Sequence, residues 1–330
     1  MAVTAAMIKT LREMTNAGIS DCKNALTAAD GDFDRAVELL REKGLAAAAK
    51  KAGRIASEGL VAALISEDGN KGVLVEINSE TDFVAKNADF KAYVASVAKQ
   101  ALNSSAAETE ALLAEKWVED ESVSVKDALV QKTAIIGERI DIRRFVRFEK
   151  SGSGFITSYV HGGGRVAVLL EVETESTDPV VTETAKNICM QIASMSPQFV
   201  TKDEISAEVL EKEAEIAKQL TLTEEAEKAA ANPDYKKKNE TIIANISKSR
   251  AEKQISEITL VSQGYVRDSE LPEQETKGKK VYTVGDYLNY AGKQAGSPIK
   301  VKRFARFETG EGLAKKEENF AAEVSKAMMV

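Results

Sequence analysis

Apolar positions along the chain keep a helical rhythm at first and switch to alternation near Ser57. Met7, Ile8, Leu11 and Met14 fall three or four apart, which predicts a first helix with one apolar stripe. Thr15-Asn16-Ala17-Gly18 should end it, with Gly18 turning left-handed. Ser20 reads as the cap of a second helix bearing Cys22, Ala25, Leu26 and Ala29. Asp32 reads as the cap of a third, with Phe33, Ala36, Val37 and Leu40 inward and Lys43-Gly44 at its end. Residues 45 to 57 form an alanine-rich helical connector containing Lys50, Lys51 and Arg54. Beyond it Leu60, Ala62 and Leu64 alternate with Val61, Ala63 and Ile65, Asp68-Gly69-Asn70 turns the chain, and Val73, Val75 and Ile77 alternate with Leu74 and Glu76. That pattern predicts a β-hairpin. Its exit is the polar turn Asn78 to Asn87, which carries Phe83, and a helix over Asp89 to Leu102 with Phe90, Val94, Val97 and Ala101 follows. A polar stretch, the segment Val125 to Leu129, Ile136-Gly137 and a strand from Ile140 to Glu149 complete this unit.

The second half repeats the first. Gly59, Leu74 and Glu76 match Gly154, Leu169 and Glu171 at a constant offset of 95. Val125, Asp127, Leu129, Gly137, Phe145, Arg147, Phe148 and Glu149 match Val284, Asp286, Leu288, Gly296, Phe304, Arg306, Phe307 and Glu308 at an offset of 159. Eight identities over 25 ungapped positions predict a duplicated module. Each copy is expected to be a small three-stranded antiparallel sheet with helices on one face, an α+β arrangement. The copies differ where Thr81-Asp82-Phe83-Val84 stands opposite Thr177-Asp178-Pro179-Val180, so Phe83 belongs to the first copy alone. They differ again at the hairpin turn, where the second copy has His161-Gly162-Gly163-Gly164-Arg165. Glycines there suit either close approach to another surface or a permissive tight turn.

The second copy also carries about 63 additional residues, charged and helical in pattern. Ile205, Val209, Ile216 and Leu220 step along one helix, Asn232-Pro233 breaks it, and Ile242, Ile246 and Ile255 follow, which predicts an antiparallel helical hairpin over about 205 to 260. Phe320, Val324 and Met328, four apart, predict a last amphipathic helix. Expected boundaries are therefore 1–54, 55–150, 151–310 and 311–330.

Composition narrows the chemistry. A 43% hydrophobic, 29% charged chain of 330 residues is ordinary for a globular protein, and no apolar run approaches a membrane span or a secretion signal. A net charge of -7 argues against sequence-independent nucleic-acid binding, and Lys236-Lys237-Lys238 reads as a solvated face. Cys22 and Cys189 read as reduced, small apolar side chains. His161 is the lone histidine, and His161-Gly162-Gly163-Gly164 lacks the Gly-x-Ser-x-Gly elbow a hydrolase would need. Neither a phosphate-binding Gly-x-x-x-x-Gly-Lys-Ser/Thr loop nor a dinucleotide fingerprint is present, so a non-catalytic binder without cofactor or metal is expected. On its own chemistry Phe83 reads as core, below Phe90.

Thr81-Asp82-Phe83-Val84-Ala85-Lys86, behind a helix with Asp21-Cys22-Lys23, resembles the signature of the bacterial elongation factor Ts family, and the resemblance extends over nearly the whole chain. It implies a cytoplasmic, non-catalytic guanine nucleotide exchange factor that binds elongation factor Tu and ejects GDP by perturbing its phosphate and magnesium site. It further implies partner contacts at Lys23, Thr81, Asp82, Phe83, Val84, Ile136, Gly137, His161 and Val266. Arg267 departs from the apolar residue expected beside Val266. Lys9 and Lys23 match basic positions of the family, although their spacing fits solvated lysines equally well. The first three helices are similar to a ubiquitin-associated domain, with Ala17-Gly18-Ile19 in the loop that binds ubiquitin in such domains. The alternative is accordingly an adaptor for ubiquitin-like or chaperone partners. A homodimer through the helical hairpin is a further expectation.

Overall fold

The computed structural model describes residues 3–15, 17–232, 234–279 and 281–315. The expected final helix at Phe320, Val324 and Met328 lies outside them. Three helices come first, α1 (Ala5–Thr15), α2 (Ile19–Ala28) and α3 (Phe33–Lys51). They close a small core of Leu11, Cys22, Ala25, Leu26, Ala29 and Ala36. Two expectations about their ends change. Gly18 is extended (φ -61°, ψ 146°) and is itself the cap residue of α2, because the Cys22 N–H bonds the Gly18 carbonyl and starts the helix before Ser20. The third helix runs through Gly44 to Lys51. Glycine inside a helix costs about 1 kcal/mol, but Gly44 is buried against a later helix, and the alanines after it are strong helix formers.

The first sheet module follows: β1 (Glu58–Ile65), β2 (Lys71–Ser79), α4 (Asp82–Lys86), α5 (Ala88–Asn103), α6 (Thr109–Ala114), β3 (Lys116–Trp117), β4 (Asp120–Ser124), α7 (Val125–Ile136) and β5 (Asp141–Glu149). The second comprises β6 (Phe155–His161), β7 (Val166–Glu173), α8 (Pro179–Met195), α9 (Ala207–Ala231), α10 (Glu240–Ile258), α11 (Glu273–Thr276), α12 (Val284–Gln294) and β8 (Lys300–Glu308). Both sheets are antiparallel with the hairpin's second strand central, in the orders β1-β2-β5 and β6-β7-β8. The third strand shifts register at Glu76/Ile77 in one sheet and at Glu171/Val172 in the other, which are equivalent positions of the repeat. Gly59 and Gly154 lie beside these bulges, with φ of 130° and 115°, where a Cβ would stand 2.1 and 1.9 Å from the Ile77 and Val172 carbonyl oxygens. The little β3–β4 hairpin went unforeseen, since a strand of two residues leaves no period to read.

Alternation along β1 is apolar on both sides because both sides are buried. Leu60, Ala62 and Leu64 join Val73, Val75 and Ile77 beneath α5 and α7. Val61, Ala63 and Ile65 join Leu74, Phe148, Ile156, Ala167 and Leu169 in a second layer between the two sheets. The modules thus pack sheet to sheet, with helices on the outer faces.

Most polar contacts across this layer come in reciprocal pairs. Val61 donates its N–H to the Gly164 carbonyl (2.7 Å), and Ile156, its counterpart, donates to that of Gly69 (3.3 Å). Fully buried Glu76 accepts from Arg144 (2.6 Å), Arg143 (2.9 Å) and, across the layer, the Gly310 N–H (2.8 Å). Buried Glu171 accepts from Arg303 (2.6 Å) and, across the layer, the Ser151 N–H (3.0 Å). Arg144 stacks 4.2 Å from the Phe307 ring centre and Arg303 4.2 Å from that of Phe148.

Helices α9 and α10 lie antiparallel, with Ile205, Ile255 and Ile258 packed at their base. Ile216 and Leu220 do not fill the seam as their spacing suggested, being 50% and 52% exposed. Ala217 and Thr221 of α9 and Ser247 of α10 are buried instead, Arg250 reaches Thr221 and Glu224, and Glu225 accepts from Tyr235 and Lys238. Among the described residues no helix is long and apolar enough to cross a membrane.

Burial alone would raise the Glu76 carboxyl, but the Gly310 N–H, Arg143 and Arg144 outweigh it and hold the group below its ordinary 4.5. Removing the carboxylate leaves a backbone N–H and partly exposed guanidinium groups without their acceptor, at about 1–3 kcal/mol. Glu76→Ala and Glu171→Ala should each lose about that much unfolding free energy in a urea titration. The unfolded chain also takes up a proton before native Glu76 does. Its stabilisation is therefore complete above pH 4.5 and declines as pH falls below 4.5 through the depressed native value. Glu76→Gln should flatten that acid limb in unfolding curves run from pH 6 to pH 3.

Candidate functional site

At the exit of β2 the chain turns at Glu80 and enters α4, one and a half turns long, whose inward residues are Val84, on the first core, and buried Ala85. Thr81 caps it, its hydroxyl accepting from the Val84 N–H at 3.4 Å. With that face inward, Phe83 points outward and is 79% exposed, the most exposed of the described large apolar side chains. Leaving a phenylalanine in water forgoes about 1.5–3 kcal/mol of burial. Asp82 accepts from Lys86 one turn on (2.6 Å), and that ammonium, which also lies 5.8 Å from the Phe83 ring centre, holds the carboxyl below its ordinary value.

Two loops grip the start of this helix. Glu138, just past α7, accepts from the Glu80 N–H (3.1 Å), the Thr81 N–H (3.0 Å) and the Thr81 hydroxyl (2.7 Å). Glu80 returns the contact, accepting from the Arg139 N–H at 2.6 Å. The connector from α3 reaches the same point: Arg54 pairs with Glu80 (3.2 Å), and Arg139 donates to the Arg54 carbonyl (2.7 Å). Three chain segments, far apart in sequence, therefore meet beneath Phe83. Glu80, Glu138 and Arg139 were not singled out from the sequence and Arg54 was named only as a charge of the connector, because such charges carry no periodic signal.

This arrangement gathers part of the expected site. Thr81 to Val84 adjoin half-buried Ile136 and exposed Gly137, which ends α7 in a left-handed conformation (φ 83°). In the second copy no separate helix corresponds to α4, because Asp178 and Pro179 open α8 directly. Lys23 is exposed on α2, and Lys9 pairs with Glu13 (3.8 Å) on α1. His161 is exposed at the end of β6, with Nδ1 3.0 Å from the Tyr159 hydroxyl. Val266 is 46% exposed, and its N–H donates to Gln191 (2.9 Å). Beside it, Arg267 is held by Glu270 and Asn187. Among the described residues no hydrogen bond or ion pair joins Lys23, His161 or Val266 to the Phe83 helix.

The glycine turn has an internal use. Gly164 is buried against β1, where an added Cβ would lie 2.9 Å from Leu60 and 3.1 Å from the Val61 carbonyl oxygen, whereas Gly163 faces open space. Both cysteines are buried and free, and burial pushes the Cys189 thiol up to about 12. Among the described residues no three His, Cys, Asp or Glu side chains gather as a metal site. Gly163→Ala should cost about 1–2 kcal/mol for its left-handed backbone alone. Gly164→Ala should cost clearly more, since it also parts the two modules, and chemical denaturation of the two variants side by side tests the difference.

Comparison with known proteins adds the rest. A family model described as "Elongation factor TS" matches residues 80–311. The chain is 46% identical over 324 residues to the elongation factor Ts of Clostridium kluyveri (strain NBRC 12016), covering 98% of both proteins. It is 45% identical over 326 residues to that of Clostridium botulinum (strain Alaska E43 / Type E3), covering 99% of both. To that of Clostridium perfringens (strain 13 / Type A) it is 45% identical over 324 residues, 98% of both.

Proposed function

The chain belongs to the elongation factor Ts family, and on that premise we propose that it is a cytoplasmic, non-catalytic guanine nucleotide exchange factor of translation, acting on elongation factor Tu. The observation that carries the reading is Phe83: a fully presented aromatic on a short helix clamped from below. Phe83 inserts beside the nucleotide site of the GTPase, with Asp82, Thr81 and Val84 fixing its approach and Ile136 and Gly137 extending the contact. Lys23 on the first three helices, which dock as a ubiquitin-associated-like module, His161 at the second hairpin and Val266 hold the partner at further points.

GDP is held on a GTPase by backbone N–H groups and a magnesium ion that offsets phosphate charge. An intruding side chain that shifts the helices around that site weakens both. Linkage then requires GDP to weaken the binding of this protein by the same factor, each tenfold of exchange corresponding to about 1.4 kcal/mol of coupling. One buried phenylalanine contributes about 1.5–3 kcal/mol, so the other contacts must supply the grip.

The partner set includes a second copy of this chain. Between α9 and α10 lies an open groove of about 980 Å³, lined by Leu210, Ala214, Leu222, Ile243, Ala251 and Ile255. Leu210 and Leu222 are 41% and 39% exposed along it, an apolar strip that a second hairpin would cover. Leu210→Lys with Leu222→Lys should convert a dimer to a monomer in light scattering; an unchanged mass would remove the hairpin from the interface.

Release of fluorescent GDP from elongation factor Tu, followed by stopped flow, tests the main reading. The protein should accelerate release, and Phe83→Ala should lower the accelerated rate by about one to two decades. No acceleration by the unaltered protein would return the adaptor reading to first place.

A further inference from the structure

We propose that Glu138 is a positioning residue for nucleotide exchange: its carboxylate holds the first turn of the Phe83 helix in the presented geometry and ties that helix to the connector of the N-terminal unit. This deepens the exchange-factor reading and rests on it. Helix α4 has five residues and cannot hold itself, since a helix that short has almost no intrahelical hydrogen bonds to set against the entropy of its backbone. Its orientation must come from its ends.

At its far end Asn87 is shared with α5, whose Asp89 and Phe90 N–H groups it caps at 2.7 and 3.3 Å. At its near end the two backbone donors and the hydroxyl donor that lead into the helix all bond one side chain from outside the turn, that of Glu138. Glu138 satisfies two backbone donors, those of Glu80 and Thr81, and orients the Thr81 hydroxyl so that its lone pair faces the Val84 N–H. The hydroxyl proton is committed to Glu138, which leaves the oxygen free as the cap acceptor. The carboxylate thus reaches Phe83 through Thr81.

The same corner transmits position. Glu138 follows the end of α7, and α7 is the surface on which α3 rests through Gly44, Val130 and Ala134, with Arg41 paired to Asp127 at 2.7 Å. Arg54, past the end of α3, lands on Glu80. The N-terminal unit is therefore fixed relative to Phe83 along two routes that converge on residues 80–81 and 138–139, and a partner gripped by the first three helices meets Phe83 at a set place. Loss of Glu138 would leave the contact surface complete but loosely aimed. A misplacement of about 1 Å in a reacting arrangement can cost about a hundredfold in rate.

The test is a cycle of four proteins in the GDP-release assay: wild type, Glu138→Ala, Phe83→Ala and the double variant. Glu138→Ala should lower the maximal release rate about tenfold to a hundredfold. The half-saturating concentration should move much less, because the remaining contacts still bind. In the Phe83→Ala background the Glu138 effect should vanish, the mark of two residues acting as one. Glu138→Gln, whose amide oxygen can take the two N–H groups and whose amide N–H can donate to the Thr81 hydroxyl, should restore most of the rate. Thr81→Val, which removes only the hydroxyl, gives a second route to the same reading should Glu138→Ala fold poorly; its loss should likewise disappear without Phe83.

An equal loss with and without Phe83, or no loss at all, would overturn the proposal. Amide hydrogen exchange of the free protein provides an arm independent of any partner. Glu138→Ala should speed exchange in the peptide spanning 79–86 and leave the 72–78 strand unchanged. If the unaltered protein does not accelerate GDP release, the functional reading fails while this arm still decides the clamp, and unchanged protection over 79–86 would overturn it.

Discussion

Glu76 and Glu171 sit on the central strands of two sheets that face each other, and each takes donors from both modules. From the third strand of its own sheet Glu76 takes two guanidinium groups and Glu171 one, and each takes an amide N–H from the residues that follow the third strand of the other. In a lone sheet either carboxylate would face water; closing the sheets buries both, and only the alignment that supplies the crossed N–H groups completes their donors. The apolar layer of Val61, Leu74, Phe148, Ile156 and Leu169 supplies the area, and the crossed carboxylates determine the alignment.

That alignment sets the rest of the molecule. Once one face of each sheet is taken by the other sheet, the helices are confined to the outer faces, and the exits of the central strands come out at opposite ends of the layer. At one exit the chain builds the extra helix α4 and puts Phe83 in water; at the other, Pro179 leads straight into α8. The duplication makes the scaffold, and a difference of a single turn makes the site.

The site depends on the scaffold through short polar reach. Glu138 and Glu80 exchange hydrogen bonds between two loops, and Arg54 and Arg139 bring in a third segment. These bonds are only partly shielded from water, so each contributes modestly. Their importance is in geometry: they act on a helix too short to keep its own position.

By itself the sequence determined the periodic features. Helices with an apolar stripe, the alternating hairpins, the duplication at offsets of 95 and 159 and the peculiarity of Phe83 to one copy were all legible, because each repeats a local constraint of backbone geometry. The signature around Phe83 could likewise be recognised by its order of residues, although its exposure could not be read from Phe83 itself. Tertiary structure alone decided which face of β1 meets which layer, that Gly44 would lie within α3, that Ile216 and Leu220 would stay outside the α9–α10 seam, and that Arg54, Glu80, Glu138 and Arg139 would converge beneath Phe83. Those outcomes rest on pairings between segments tens of residues apart, where a hydrogen bond of about 3 Å depends on the whole intervening fold and leaves no spacing in the chain to read.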